Sequence, residues 1–215
     1  MKMMSLPLLC VGLIGLGGCS LNAIHGSGAA KTEARAVGSF SKIDLTGAPD
    51  VEVMVGSAVS VAVTADDNLL PFIETTVDGE TLKIGSKQSY STSIGVKVKI
   101  TVPALHGVLV TGSGDIHAAG LKAGELEVNV TGSGDVTLSG VVDQLRARII
   151  GSGDLRAGDL TAKNVSVGVT GSGDAAVRAT EQLEANVTGS GNVRYAGNPT
   201  HVARNVTGPG EIGPL

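Results

Sequence analysis

A glycine-rich motif recurs at an almost constant spacing in the carboxyl-terminal half of the chain, and this repeat restricts the fold more than any other feature. The motif is Gly-Ser-Gly-Asp in four copies, followed by one Gly-Ser-Gly-Asn and one Gly-Pro-Gly-Glu. Successive copies are 20, 19, 20, 18 and 19 residues apart, at 112–115, 132–135, 151–154, 171–174, 189–192 and 208–211. A fixed period of this length is typical of a solenoid that adds one turn per repeat.

Two stretches of alternating apolar and polar residues flank the glycine motif. In the second copy, Val128 and Val130 precede the motif, and Val136 and Leu138 follow it. Alternation with a period of two is typical of strands that bury one face. Because a unit of about 20 residues cannot bury that face alone, successive units must stack and bury it together.

We therefore predict an all-β fold, a single-stranded β-helix-like solenoid with about 19–20 residues per turn. A second apolar segment in most copies, at Leu121, Val141 and Leu160, leaves room for a third side of each turn. A β-sandwich built from the same strands would not require a constant period. Equivalent residues of successive turns should form inward-facing columns, one of which contains Val110, Val130, Ile149, Val169, Val187 and Val206.

The motif glycines are expected to form the corners between strands, because glycine adopts the positive φ that a sharp bend needs. These corner residues are Gly112, Gly114, Gly132, Gly134, Gly151, Gly153, Gly171, Gly173, Gly189 and Gly191. A looser copy of the pattern occupies residues 43–53. Pro49 and Pro209 occur only in the outermost copies, where a missing backbone N–H matters least. With Pro214 close behind, the carboxyl-terminal edge is predicted to resist further strand addition.

Stacked corners would align the motif acids in a ladder. Unit charges about 4.8 Å apart repel by about 0.9 kcal/mol in water and about 3.5 kcal/mol at an effective dielectric of 20. The simpler expectation is that each carboxylate accepts local hydrogen bonds at a solvated corner. The alternative is Ca²⁺ binding, although the calcium β-roll uses a shorter, nine-residue repeat. The candidate ligands are Asp115, Asp135, Asp154 and Asp174, and Asn192 and Glu211 continue the ladder.

The chain begins with the features of a bacterial export signal. Lys2 is followed by an apolar stretch from Leu6 to Leu16, which is too short to span a bilayer, and then by small residues leading to Cys19. The Leu-Gly-Gly-Cys sequence at this point resembles the lipobox of bacterial lipoproteins, in which the cysteine receives a lipid. We predict a signal peptide over residues 1–18 and lipidation at Cys19.

The segment after the cysteine is small, polar and charged. Residues 19–37 are therefore predicted to be the lipidated cysteine and a flexible tether, and residues 38–215 the β-helix domain. The chain would contact the membrane through its lipid anchor. Ser20, rather than Asp, resembles the sorting signal for the outer membrane, which predicts a location in the cell envelope of a Gram-negative bacterium. With 20 acidic residues against 16 basic ones, the chain is not expected to bind nucleic acid.

The order of these features resembles the putative auto-transporter adhesin head GIN domain family. The likeness rests on the lipoprotein signal, a Phe-x-x-Ile-x-Leu-x-Gly opening at 40–47, the Lys-Ile-Thr-Val-Pro-Ala-Leu segment at 99–105 and the glycine motifs. It covers about residues 38–211. The resemblance implies a right-handed β-helix-like fold in a bacterial cell-envelope protein, and it supplies no catalytic residues.

Identical repetition of the acids argues against catalysis, since enzymes bring unlike groups together. The four histidines also lack the spacing of metal ligands. The sequence therefore predicts a non-enzymatic protein without a cofactor, with an adhesion-like, envelope-binding or structural role and a protein or glycan partner that the sequence does not identify. A glycan-active β-helix enzyme and a calcium-binding repeat protein remain as alternatives.

A polar face is the candidate interaction surface. Tyr90 and Tyr195 are the obvious aromatic candidates at the surface, which is few for a sugar site. The polar segment at 85–95 is expected to be an irregular excursion, and such loops often carry function. The face itself would consist of Thr111, Thr131, Thr170, Thr188 and Thr207 with Asn129, Asn186 and Asn205.

Overall fold

Residues 23–215, the part of the chain that the structure describes, form a β-solenoid of about five turns in a computed structural model. The predicted signal peptide and Cys19 lie outside the described residues. Within residues 23–215, no helix has the length and apolar character that crossing a bilayer requires. The strands are β1 (Ile24–His25), β2 (Ala30–Arg35), β3 (Lys42–Gly47), β4 (Asp50–Val55), β5 (Ser60–Asp66), β6 (Ile73–Asp78), β7 (Thr81–Ser86), β8 (Tyr90–Ser91), β9 (Lys97–Val102), β10 (Gly107–Gly112), β11 (Ile116–Gly132), β12 (Val136–Gly151), β13 (Leu155–Gly171), β14 (Ala175–Gly189), β15 (Asn192–Ala196), β16 (His201–Thr207) and β17 (Glu211–Pro214).

Strands of successive turns pair in parallel, with equivalent residues of each repeat opposite one another. The register aligns Val110, Val130, Ile149, Val169, Val187 and Val206 in one column. Its first five members are at most 1% exposed, whereas Val206 is 40% exposed because no further turn covers it. The predicted solenoid and its inward column are confirmed.

The third side of the turn, for which the second apolar segment leaves room, is present, but the residue that it buries differs in one copy. Leu121 and Leu160 are 2% and 0% exposed. Val141 is 60% exposed, and Val142 is buried in its place. Gly140 pairs with both leucines and has a φ of 137°. A shift of one residue moves a side chain to the opposite face of a strand.

The amino-terminal turns are not stacked in chain order. The early copy of the motif is in register with the later ones, since Gly47 lies opposite Gly112. However, β7 and β9 come later in the chain and pair on the outer side of β3 and β4. Pro49 therefore lies in the last tight corner at this end, as its position in an outermost copy predicts, although β7 and β9 add a further turn beyond it.

Antiparallel strands close this end of the solenoid. β6 pairs antiparallel with β7, while β5 pairs antiparallel with both β9 and β2. The expected flexible tether over 19–37 is therefore wrong for its second half, since Ala30–Arg35 forms β2. Its side chains are small, polar or charged and lie exposed or half-buried, but β5 offers the segment a row of backbone hydrogen-bonding partners.

The carboxyl-terminal end is closed by a charged side chain. Arg204 occupies an inward register position opposite Ala185, which is 0% exposed. Its guanidinium lies 5.3 Å from the ring centroid of Tyr195 and donates a 2.5 Å hydrogen bond to the Tyr195 hydroxyl. An inward-pointing charge on an edge strand discourages the addition of another strand. Arg204 therefore acts with Pro209 and Pro214 at this edge.

Replacing Arg204 by valine is expected to make the protein self-associate through β16. The change leaves an apolar end surface beside an unpaired strand edge, which is a template for strand addition. Light scattering after size-exclusion chromatography should show a mass that rises with concentration. The matched control is Arg148→Val, on the outer face of a central turn, which should stay at the wild-type mass. Equal behaviour of the two variants would show that Arg204 does not protect the edge.

Candidate functional site

Both glycines of each corner approach the turn below too closely to carry a side chain, and the first also needs a positive φ. The first glycine has a positive φ, 123° at Gly132 and 124° at Gly151. The second has an ordinary φ, but a Cβ on Gly134 would overlap the carbonyl oxygen of Gly114 in the turn below. The N–H groups of Ser133 and Gly134 both donate to the carbonyl of Gly112, at 2.8 and 3.1 Å. Sequence reasoning assigned positive φ to both glycines and missed this close approach.

The aspartates of the corners form a hydrogen-bonded ladder. Oδ1 of Asp115 accepts the backbone N–H of Asp135 at 2.9 Å, and Oδ1 of Asp135 accepts that of Asp154 at 3.0 Å. The series continues through Asp174 to Asn192, with N–H to Oδ1 distances of 3.0 and 2.8 Å. Each carboxylate is therefore held by the backbone of the next turn rather than by Ser or Thr hydroxyls.

One arginine offsets part of the charge of the ladder. Arg156 donates from one guanidinium nitrogen to Asp135 at 2.7 Å and from the other to Asp154 at 3.1 Å. The hydrogen bond to Asp135 and the nearby carboxylates raise the pKa of Arg156. Within residues 23–215, no group of three or more His, Cys, Asp or Glu side chains is placed to hold a metal ion.

The predicted polar face lies on one outer side of the solenoid. The threonine column runs in register from Thr111 and Thr131 past Ile150 to Thr170 and later copies. Ile150 is 39% exposed and interrupts the column. The asparagine column is also interrupted, since Arg148 lies opposite Asn129. The face is thus regular in register but mixed in chemistry.

A polar groove borders this face, and sequence reasoning missed it. It has a volume of about 510 Å³ and is lined by the amides of Gln144, Asn164 and Gln182. These three residues lie opposite one another on successive turns. Their spacing of 20 and 18 residues matches the glycine period and was the signal available in the sequence.

Unlike titratable groups meet in a smaller concavity of about 190 Å³, lined among others by Asp50, Glu52, Asp115 and His117. This is where a glycan-active enzyme would place its acids. Glu52, however, is paired with Lys99 at 3.3 Å, and both side chains are more than half exposed. A catalytic acid is usually shielded from water, so the arrangement does not favour catalysis.

The predicted excursion at 85–95 takes part in an amino-terminal clasp. β1 pairs in parallel with β8, which lies within this segment. Asp66 is fully buried and accepts hydrogen bonds from the Thr92 hydroxyl at 2.5 Å and the Gly28 N–H at 2.6 Å. Tyr90, expected at the surface, is half-buried against the core, as is Tyr195. We call β1, residues 26–28 and Asp66 the clasp.

The clasp is expected to open in acid. The hydrogen bond from Thr92 lowers the pKa of Asp66 below its ordinary value of 3.8, and the bond from Gly28 adds to this against the effect of burial. A lowered pKa in the folded state means that the stabilisation is present above the unfolded value and is lost as pH falls through the folded one. Hydrogen exchange at Ile24 to Gly28 should therefore accelerate below about pH 3.8, relative to Val128 to Val130. Asp66→Asn should remove this difference between the two regions.

The chain is similar to one protein family and to several solved structures. The sequence profile of the family described as putative auto-transporter adhesin, head GIN domain, matches residues 39–199. A crystal structure of a putative adhesin from Bacteroides fragilis NCTC 9343 is 26% identical with a TM-score of 0.75, covering 90% of this chain and 100% of that one. No curated protein matches the chain in sequence.

Two structures from Parabacteroides distasonis ATCC 8503 share the fold. A putative adhesin is 25% identical with a TM-score of 0.57, covering 90% of this chain and 100% of that one. A putative lipid binding protein is 25% identical with a TM-score of 0.53, covering 90% of this chain and 99% of that one. Matches over nearly the whole of these chains support a common fold across the described solenoid.

Proposed function

Because the chain belongs to the putative auto-transporter adhesin head GIN domain family, we propose that it is a non-catalytic adhesion-like protein of the bacterial cell envelope, anchored by a lipid on Cys19. Two of the structural neighbours are described as putative adhesins, which fits this role. The observation that carries the proposal is the register of the outer face, which lines up equivalent side chains of successive turns and keeps the threonine column polar at every position except Ile150. A long regular surface suits attachment to an extended partner.

The clasp supports anchoring close to the membrane. β1 begins at Ile24, five residues after Cys19. At a maximal reach of about 3.5 Å per residue, this connection spans at most about 18 Å. A lipid on Cys19 would therefore hold the clasped end of the solenoid near the bilayer and leave the outer face available to a partner.

Lipidation is tested by labelling bacteria that express the full chain with radioactive palmitate. The wild-type protein should incorporate the label and sediment with membranes, whereas Cys19→Ser should do neither. Cys10→Ser is the matched control and should remain labelled, since Cys10 lies within the predicted signal peptide. An unlabelled wild-type protein that is still exported would contradict the proposed anchor.

Adhesion is tested with the same cells on immobilised mucin and on a lawn of their own strain. Cells with the wild-type chain should be retained more strongly than cells with Cys19→Ser. Thr131→Lys with Thr170→Lys places two charges on the outer face and should abolish the difference. Val141→Lys, on the third side and 60% exposed at present, is the control that should not. Equal retention of all strains on both surfaces would refute the adhesion-like role.

A further inference from the structure

The polar groove contains amides whose hydrogen-bonding groups are not used within the protein. Gln144, Asn164 and Gln182 make no side-chain hydrogen bonds with the rest of residues 23–215, although Gln144 and Asn164 are half-buried. The amides of the neighbouring column differ. Asn129 donates to Glu127 at 2.9 Å and Asn186 donates to Glu184 at 3.4 Å. The groove amides are therefore free to bond a ligand.

The surroundings of these amides restrict the ligand. Val165 and Leu183, whose side chains are buried in the core, also line the groove, and Ser166 and Thr200 add hydroxyl groups. Two lining residues are titratable, Glu184 and His201, so the groove has no excess of positive charge. An anionic polymer would find no lysine or arginine among the residues that line the groove. A peptide strand would pair with the free edge of β16, which Arg204 protects, rather than with the column of amides.

The spacing of the amides suits a repeating molecule. Successive turns are about 4.8 Å apart, which is close to the advance of one pyranose along an extended chain. Each amide offers two donors and an acceptor oxygen, and each sugar presents hydroxyl groups with both capacities. Three successive sugars could therefore each face one amide, on three successive turns.

We propose that the groove binds a linear, neutral glycan that runs along the solenoid axis, with successive sugars bonded to Gln144, Asn164 and Gln182. This assignment rests on the proposed adhesion-like function and names the partner. The groove has no aromatic side chain on which a sugar could stack, so a single protein binds weakly. Many anchored copies on one cell would bind a polymer far more tightly than one copy does.

The test is affinity electrophoresis of the purified full-length protein in gels that contain soluble neutral polysaccharides. The set is hydroxyethyl cellulose, laminarin, xylan, galactomannan, amylose and dextran, with dextran sulfate as an anionic comparator. At least one neutral polymer should retard the wild-type protein. Asn164→Ala and Gln182→Ala should each weaken that retardation about 5-fold, as expected for the loss of one hydrogen-bonded contact.

Gln88→Ala is the matched control, because it removes an exposed amide that belongs neither to the groove nor to the outer face. It should be retarded like the wild type, and all three variants should unfold at the wild-type temperature. Retardation by none of the neutral polymers, retardation by dextran sulfate alone, or equal retardation of groove and control variants would overturn the proposal.

The adhesion assay separates this proposal from the function on which it rests. If cells with Asn164→Ala and Gln182→Ala adhere normally and no neutral polymer is bound, the glycan assignment fails and the adhesion-like function stands. If cells with the wild-type chain do not adhere at all, the proposed function fails. Retardation by a neutral polymer that Asn164→Ala and Gln182→Ala weaken would then still show that the groove binds glycans.

Discussion

Replacing Gly153 by alanine is expected to destabilise the solenoid by about 4 kcal/mol, and so to lower its melting temperature by roughly 10 °C. A Cβ at this position would overlap the carbonyl oxygen of Gly134 and lie 3.1 Å from Cγ1 of Val130. The backbone cannot retreat without losing the hydrogen bonds from Ser152 and Gly153 to the carbonyl of Gly132, at 2.9 and 3.1 Å. Thermal unfolding followed by circular dichroism measures the effect.

Gly168→Ala is the matched control for this change. Gly168 lies in β13, the strand that follows the corner of Gly153. A Cβ at Gly168 would have no neighbour within 4 Å, and the φ of Gly168 is not positive. Since glycine costs conformational entropy in a strand, this variant should be neutral or up to about 1 kcal/mol more stable. Equal melting temperatures for the two variants would mean that the turns do not approach as closely as the structure shows.

Asp115→Ala is expected to cost about 1–3 kcal/mol, because it leaves the half-buried N–H of Asp135 without its 2.9 Å acceptor. Asp115→Asn should cost little, since an amide oxygen can accept the same bond. The protein already contains this arrangement, as Oδ1 of Asn192 accepts the N–H of Glu211 at 3.1 Å. Chemical denaturation of both variants measures the difference, and a loss of stability as large in Asn as in Ala would show that the negative charge itself is needed.

The Asp115→Asn variant also tests the alternative that the aspartate ladder binds calcium. If the ladder is a backbone acceptor series, added Ca²⁺ or a chelator should leave the unfolding of the wild type unchanged. A melting temperature that rises with Ca²⁺ and loses this response in Asp115→Asn would instead favour cation binding, since a neutral amide is a weaker ligand than a carboxylate for a hard cation.

The function of the protein follows from its site more than from its fold, because one fold supports many functions. The adhesin-like family and neighbours favour a protein that is not an enzyme. The exposed pairing of Glu52 with Lys99 agrees with this, since it leaves Glu52 neither shielded from water nor free of a partner. The amides of the polar groove offer a more specific hypothesis, because they are free to bond and repeat with the turns.

The repeat period was sufficient to predict the solenoid, the inward valine column and the alignment of the corners. Parallel strands place equivalent residues opposite one another, so a constant period in the sequence dictates the register. The same logic could have revealed the amide column, because Gln144, Asn164 and Gln182 follow the period. Local patterns of this kind need only the next turn as a partner.

Only the tertiary structure decided the order of the amino-terminal turns, the clasp and the two ends. β7 and β9 pair beyond β3 and β4 through contacts between distant segments, and no periodicity records such contacts. The polar sequence of β2 is typical of a flexible tether. The segment forms a strand because the free edge of β5 supplies its hydrogen-bonding partners. Arg204 points inward because it lies in the last turn, where the end of the core meets water and a charge with an aromatic partner can close it. Such positions depend on which surfaces the rest of the chain leaves uncovered, and that is settled only when the whole chain has folded.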